Sequence, residues 1–373
     1  MLGVDSMNIS RSIDYLLENG GNLLRYRLHR DVLHDLTPVE EENHLEGLRQ
    51  SDDYKLLLSH IHENGYIGRG MHSWEKFKTS HLDDGESAAR YIANTGIPAD
   101  TPFVYNFAMA LRNDDVVEEE FSYYHPEKVR FANRNRGLNS GSSLGVTINT
   151  CQALIGYGDD DEIKPFVDIS YRAFTSLLEL NSVYDLVEFN PNLKRKYNYP
   201  TITPETYFPC QYHLETLACT NSWRTSDSVE LLAKAINYHD EICTDHFSFA
   251  VKMNGKQVGP GWAYMQPFHE LSFPSKAPNH RKTLTCLAKV VGEKADVVKR
   301  SRKILEEMLD ADGVLRTTFD TPYQKKCFKD NLRIAHPYAE IGLEPNHRKD
   351  CAIWCELTFW AVQYLYILGA AEW

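Results

Sequence analysis

The chain has 373 residues, of which 42% are hydrophobic and 25% are charged, a balance typical of a soluble globular protein with a large core. Its formal net charge of −12 argues against a nucleic-acid-binding surface, which requires clustered lysine and arginine. The eight cysteines are dispersed without a CxxC pair, and we find neither a secretory signal nor an apolar run of about 18 residues. We therefore expect a cytoplasmic protein without disulfides or a membrane span, and leave its oligomeric state open.

Helices are predicted from the beginning of the chain. Residues 10–20 run from a serine cap to a glycine stop. The next helix, 37–50, opens with Thr37 and Glu40 at the spacing of a capping box, and 51–65 opens with a serine followed by two acids. These signals predict three short helices before residue 65.

Beyond this region, one pattern recurs about every 60 to 75 residues, which indicates a repeat architecture. Each copy has a small-residue-rich apolar helix, a turn, an amphipathic helix and a loop that carries aromatic residues. The apolar helices are predicted to start near residues 88, 150, 210, 284 and 351. An apolar helix is expected to be buried on both sides, whereas an amphipathic helix faces water on one side.

Five such pairs, with a sixth from residues 8–60, predict an all-α fold, an (α/α)6 toroid of two concentric rings of helices. We expect one domain over residues 1–373, with a flexible N-terminus at 1–7, loop insertions and a minor β-hairpin at 247–253. An open solenoid is the alternative. It would need a polar cap, and the very apolar helix at 354–368 does not provide one.

Two segments, 151–168 and 284–315, resemble the repeat of terpenoid cyclases and protein prenyltransferases: an inner helix, a short acidic or glycine turn, an outer helix and a glycine-bearing loop. The resemblance covers most of residues 50–370 and rests on the repeat, because the catalytic motifs of that α/α-toroid superfamily are not matched. It implies an isoprenoid-like substrate in a central cavity.

Two local sequences depart from that superfamily. The acids of Gly158–Glu162 have the composition of a cyclase acid motif, but they fall in a turn, where we expect them to cap the following helix. Cys210 and His213 lie three residues apart on one helix face and are the weak candidates for zinc, although buried structural cysteines are commoner. The sequence requires no cofactor.

In a toroid, the N-termini of the inner helices point free N–H groups into one mouth, so ligand-binding residues are expected just before those helices. The loops there are rich in histidine, acids and aromatics, whose pKa values shift when the groups are desolvated. The candidates for acid–base catalysis are His81, Asp84, Glu86, His213, His347 and Asp350. The candidates for substrate binding are His72, Trp74, Tyr212, Trp262, His269, Glu270, His336, Tyr338 and Glu340. Helix capping is the alternative explanation for Asp84 and Glu86.

We expect an enzyme that performs acid–base chemistry on a small molecule in an aromatic-lined cavity. The resemblance implies an isoprenoid cyclase or transferase substrate. A carbohydrate is the alternative, because (α/α)6 barrels also serve glycosidases, epimerases and lyases with paired acids and aromatic platforms. A third hypothesis is a toroid that binds a ligand or a partner without catalysis. The polarity of the interior should distinguish the first two hypotheses.

Overall fold

The computed structural model describes residues 5–71, 82–122, 144–188, 200–253, 256–259, 263–272, 278–317, 342–344 and 350–370. These residues are mostly helical, and only a few belong to strands. The all-α class predicted from the sequence is therefore confirmed.

The helices are given in chain order. They are α1 (Asp5–Asn19), α2 (Asn22–Leu28), α3 (Pro38–Gln50), α4 (Asp52–Ser59), α5 (Gly85–Thr95), α6 (Pro102–Arg112), α7 (Asp114–Ser122), α8 (Leu144–Gln152), α9 (Lys164–Thr175), α10 (Gln211–Ala218), α11 (Ser226–Ile242), α12 (Pro278–Val291), α13 (Asp296–Met308) and α14 (Asp350–Ala370). Two π-helices, His29–Leu33 and Ala153–Tyr157, continue α2 and α8. Short 3₁₀ turns lie at Ser176–Glu179, Val183–Leu186, Phe268–Glu270 and Gly292–Lys294.

The capping signals of α3 and α4 are confirmed. Thr37 Oγ1 accepts a hydrogen bond from the Glu40 amide at 3.3 Å, and the Glu40 carboxylate accepts one from the Thr37 amide at 2.8 Å. Ser51 Oγ likewise accepts from the Tyr54 amide at 3.2 Å. These bonds satisfy amide groups that the first helical turn leaves without partners.

The acidic turn Gly158–Glu162 does not cap α9, contrary to the prediction. Ile163 occupies the N-cap position of α9, without a capping side-chain hydrogen bond. Asp159 instead accepts from the amides of Asn221 and Ser222, at 2.7 and 3.0 Å. The expected cap was wrong because the helix begins several residues after this aspartate, which instead fixes the turn that follows α10.

A small sheet contains β1 (Thr201–Ile202), β2 (Ala250–Met253) and β3 (Lys256–Val258), in the order β1-β2-β3. The β2–β3 pair is antiparallel and is the predicted hairpin, whereas β1 pairs with β2 in parallel. The strands are an insertion into a helical body, as expected.

The helices pack in a definite order. α5 packs against α8, α8 against α10, α10 against α12, and α12 against α14, which in turn packs against α1 and α2. α9 lies against α10 and α11, while α11 and α13 both lie against α12. Between α2 and α5, Arg27 Nη1 donates to the Asn94 carbonyl at 2.9 Å.

The helix α14 is the most apolar of these elements. It corrects the expectation that the chain has no apolar run of about 18 residues. Asp350–Gly369 is long and apolar enough to cross a membrane by length and composition alone, and 72% of its most apolar window is buried within the fold. Leu357, Phe359 and Tyr364 are almost fully buried against neighbouring helices. Most of this helix therefore belongs to the core, and its length and composition are weak evidence for a membrane span.

Candidate functional site: a buried network of ion pairs

Four side chains of alternating charge meet inside the helical body, and we call them the ionic network: Glu86, Arg90, Glu215 and Lys282. They come from α5, α10 and α12, and each is less than a tenth exposed. Charged groups are rarely buried to this extent unless they are paired.

The geometry of the ionic network is that of close, charge-assisted hydrogen bonds. Arg90 donates to Glu86 Oε1 through Nη2 at 2.8 Å and Nε at 3.0 Å, and to Glu215 Oε2 through Nη1 at 2.7 Å. Lys282 Nζ lies 2.9 Å from Glu215 Oε1. Glu86 and Arg90 are four residues apart, so one face of α5 carries both.

A second set of hydrogen bonds holds Glu215 in place. Gln211, one turn earlier on α10, donates to Glu215 Oε1 at 2.8 Å. Its own Oε1 accepts from Tyr264 Oη at 2.8 Å and from Thr283 Oγ1 at 2.6 Å. Such bonds fix the carboxylate between its two cations before any ligand is present.

The charged states of the ionic network follow from its contacts. Burial alone would raise the pKa of Glu215, but Arg90 and Lys282 outweigh it and lower the pKa to about 2. Burial would also lower the pKa of Arg90, yet Glu215 and Glu86 hold it well above its ordinary value. Both groups are therefore charged at neutral pH.

Tyr212 is an uncharged hydrogen-bond donor beside the network. Its hydroxyl lies 3.3 Å from Glu86 Oε2. Burial and the nearby Glu86 carboxylate raise the pKa of Tyr212 well above its ordinary value, so the phenol stays protonated. Glu86 and Tyr212 were both predicted as site residues, and the fold brings them together from α5 and α10.

Asp84 has the structural role that the capping alternative describes. It is the N-cap of α5, and it accepts from the Ser87 amide and the Ser87 hydroxyl, both at 2.9 Å. Glu86 differs from it, because its carboxylate binds Arg90 across one helical turn. Capping therefore explains Asp84 well, whereas the position of Glu86 depends on the ionic network.

His213 and Cys210 form a capping box at the start of α10, in which the Cys210 amide donates to His213 Nδ1 at 3.3 Å. Burial lowers the pKa of His213 to about 3 and raises the pKa of Cys210 to about 12. Both side chains are consequently uncharged at neutral pH. Among the residues that the structure describes, no group of three His, Cys, Asp or Glu side chains has the arrangement of a metal site.

Three predicted residues lie at other places on the surface. His269 Nδ1 is 3.6 Å from Asp240 Oδ2, and Glu270 Oε2 is 2.5 Å from His246 Nε2. Asp350 is exposed at the first residue of α14. The other predicted positions lie outside the described residues: His72, Trp74, His81, Trp262, His336, Tyr338, Glu340 and His347.

Sequence reasoning missed Arg90, Glu215 and Lys282, which are the centre of the network. A signal was available for Glu215, because it is the single formally charged residue of the helical segment Gln211–Ala218. A lone charge in a helix that is buried on all sides needs a partner from another helix.

Comparison with protein-family models, with curated proteins and with solved structures gives no match for this chain.

Proposed function

We propose that the protein is an α/α-toroid enzyme that transfers protons on a small polar substrate of the carbohydrate class. The observation that carries this proposal is the ionic network with Tyr212 beside it. The isoprenoid substrate implied by the resemblance is the competing hypothesis.

The packing order of the helices supports the toroid. The series α5, α8, α10, α12, α14, α2 proceeds from neighbour to neighbour, and the Arg27–Asn94 hydrogen bond joins its last member to its first. The helices α6, α9, α11 and α13 alternate with this series along the chain, as an outer ring would. An open solenoid would not need a contact between its ends.

The polarity of the interior favours a substrate that makes hydrogen bonds. Besides the ionic network, Arg27 and Arg281 are almost fully buried, and the Arg281 guanidinium carbon lies 5.2 Å from the centre of the Trp360 ring. An isoprenoid pocket should be lined mainly by apolar and aromatic groups, because unpaired polar groups against a hydrocarbon are unfavourable. Arginine, glutamate and tyrosine groups suit hydroxyl-rich and carboxylate-bearing ligands.

In this mechanism, Glu86 and Tyr212 touch the substrate, and the other charges position them. The Glu86 carboxylate accepts a proton from the substrate, and the Tyr212 hydroxyl donates one to the leaving or rearranging oxygen. Arg90 keeps Glu86 oriented, Glu215 holds Arg90, and Lys282 holds Glu215. Because these side chains are buried, their electrostatic interactions are stronger than they would be in water.

A ligand panel tests the substrate class. Saturation-transfer NMR would compare neutral disaccharides and uronic-acid disaccharides with farnesol and farnesyl diphosphate. We expect binding of at least one sugar and none of the farnesyl compounds. Binding of a farnesyl compound without any sugar would establish the isoprenoid hypothesis instead.

Turnover of the bound sugar, followed by product NMR, tests the chemistry. We expect Glu86→Gln and Tyr212→Phe each to lower the rate by about 100-fold or more, the usual effect of removing a general acid or base. The matched controls are Glu42→Gln and Tyr184→Phe, at exposed positions, which should keep the wild-type rate. Binding by the wild type without turnover would support the non-catalytic toroid, and unchanged rates in both variants would remove the proposed roles.

A further inference from the structure

A cavity lies between α2, α3 and α5, and its volume of about 610 Å³ is within the range that accommodates small-molecule ligands. Its walls include Leu23, Tyr26, His44, Leu48 and Tyr91. No member of the ionic network lines it. The cavity is therefore separate from the site proposed above.

The helix α3 covers this cavity without packing tightly onto the body of the protein. None of its residues is buried. It is held mainly by its capping box, by α4, and by His44, which stacks on Tyr26 with ring centres 3.4 Å apart and contacts the Thr95 carbonyl at 3.2 Å. A helix in a protein is normally stabilised by burying an apolar face. The helix α3 buries no such face, and the cavity occupies the place where that face would pack.

Gly47 is an exposed glycine of α3 that borders the same space. It lies in the last part of α3 and lines the cavity, and a Cβ at this position would meet no atom within 4 Å. Glycine is unfavourable inside a helix, and here no close backbone contact explains it. By contrast, Gly20 and Gly96 are sites where a Cβ would collide with neighbouring atoms.

The rim of the cavity carries a cation that is not used in an ion pair. The Arg25 guanidinium donates to Asn22 Oδ1 at 2.8 Å, and no carboxylate of the described residues lies within salt-bridge distance of it. The other charged groups of the rim are engaged: Glu40 binds Thr37, and His29 binds Asp35 at 2.8 Å. Arg25 is thus the group available to an anion.

We propose that this cavity binds a small ring compound that carries one anionic group. The rings lie against Leu23, Leu48 and the Tyr26–His44 stack, and the anion is bound by Arg25. The ligand completes the missing packing of α3. The π-helix His29–Leu33, which borders the cavity, is consistent with this role because π-helical turns often occur at functional sites.

Two fluorescent probes distinguish the contribution of the rings to binding from that of the anionic group. The probe 8-anilinonaphthalene-1-sulfonate has the required rings and one anionic group, and N-phenyl-1-naphthylamine has the same rings without the sulfonate. We expect saturable binding of both to the folded protein, with the sulfonate about tenfold tighter, as a hydrogen bond between charged groups would give. If neither probe binds the folded protein saturably, the proposal is wrong.

Variants test the position of the binding site. Gly47→Leu fills the cavity while improving the helix propensity of α3, so the protein should fold and lose about tenfold or more in affinity for both probes. Gly369→Leu is the matched control, because Gly369 is also helical with open space around it, and it should bind both probes as the wild type does. Unchanged binding to Gly47→Leu would overturn the proposal.

Arg25→Gln tests the anion site. It should weaken sulfonate binding about tenfold and leave the neutral probe within about twofold, since only the charged contact is removed. Arg49→Gln is the control, because Arg49 is on α3, is paired with Glu42 and Glu46, and does not line the cavity. Equal losses for both probes in Arg25→Gln would contradict the assignment of the anion to Arg25.

Discussion

The ionic network and the cavity under α3 differ in the burial and pairing of their polar groups. In the network, four charges from three helices are almost fully buried, and each has an opposite charge at hydrogen-bond distance. Under α3, the polar groups surround a space, and the helix above it buries no residue. The first region is already organised without a ligand, whereas the second lacks packing that a ligand can supply. Regions with few buried contacts are also those that open most easily.

The largest expected effect is the removal of Arg90. Arg90→Leu leaves Glu86 and Glu215 buried without their shared cation, and we expect the free energy of unfolding to fall by about 3–5 kcal/mol. Urea denaturation measures this change. Arg49→Leu removes an arginine from the exposed pairs of α3 and should have little effect. If the free energy of unfolding falls equally in both variants, the network contributes no more to stability than a surface ion pair.

The pH dependence of stability tests the same network. The pKa of Glu215 is lowered to about 2 from an ordinary value of 4.5, so its ionised form stabilises the native state above pH 4.5. This contribution, on the order of 3 kcal/mol, is lost as the pH falls from 4.5 towards 2. Glu215→Gln should therefore be less stable at pH 7 and show a shallower decline over that window in urea titrations. A decline as steep as that of the wild type would contradict the assignment to Glu215.

The helix α5 contributes residues to both regions, and Gly96→Ala tests how tightly its C-terminal end packs. Gly96 has a φ of +77°, and an added Cβ would collide with Arg30 and lie 2.7 Å from Tyr26 Oη. Backbone strain and the collision should lower the free energy of unfolding by about 1–3 kcal/mol. Thermal denaturation measures the loss. A variant as stable as the wild type would show that this helix end can relax.

The smallest expected effect is at Gly47, and its sign is opposite. Gly47→Ala removes the conformational freedom of glycine from a helix where the Cβ meets nothing, and should stabilise the protein by about 0.5–1 kcal/mol. Hydrogen exchange of the α3 amides should slow in parallel with the change in thermal denaturation. Loss of stability in Gly47→Ala would mean that the space around Gly47 is not open.

Local signals predicted much of the helical framework. The capping boxes and apolar periodicity placed helices that begin at Pro38, Asp52 and Gly85, within a few residues of their predicted starts. Asp84 was a candidate for catalysis with capping as the alternative, and it is the N-cap of α5. These features involve residues a few positions apart, which is the range over which sequence patterns are informative.

The candidate site was predicted only in part. Glu86 and Tyr212 were chosen because they are near the starts of apolar helices, and the fold places Tyr212 Oη 3.3 Å from Glu86 Oε2. His269 and Glu270 were chosen for the same reason and lie at the surface beside Asp240 and His246. Proximity to a helix start does not determine which side chains face inwards, because that depends on how the helices pack.

The sequence by itself determined the all-α class, the caps of α3 and α4 and the need of each apolar helix for burial, because these properties follow from periodicity and near-neighbour hydrogen bonds. Only the tertiary structure decided that Arg90 lies between Glu86 and Glu215, two carboxylates more than 100 positions apart in the chain. Pairing of buried charges is a long-range requirement: the sequence shows that a partner is needed, and the packing of α5, α10 and α12 selects it.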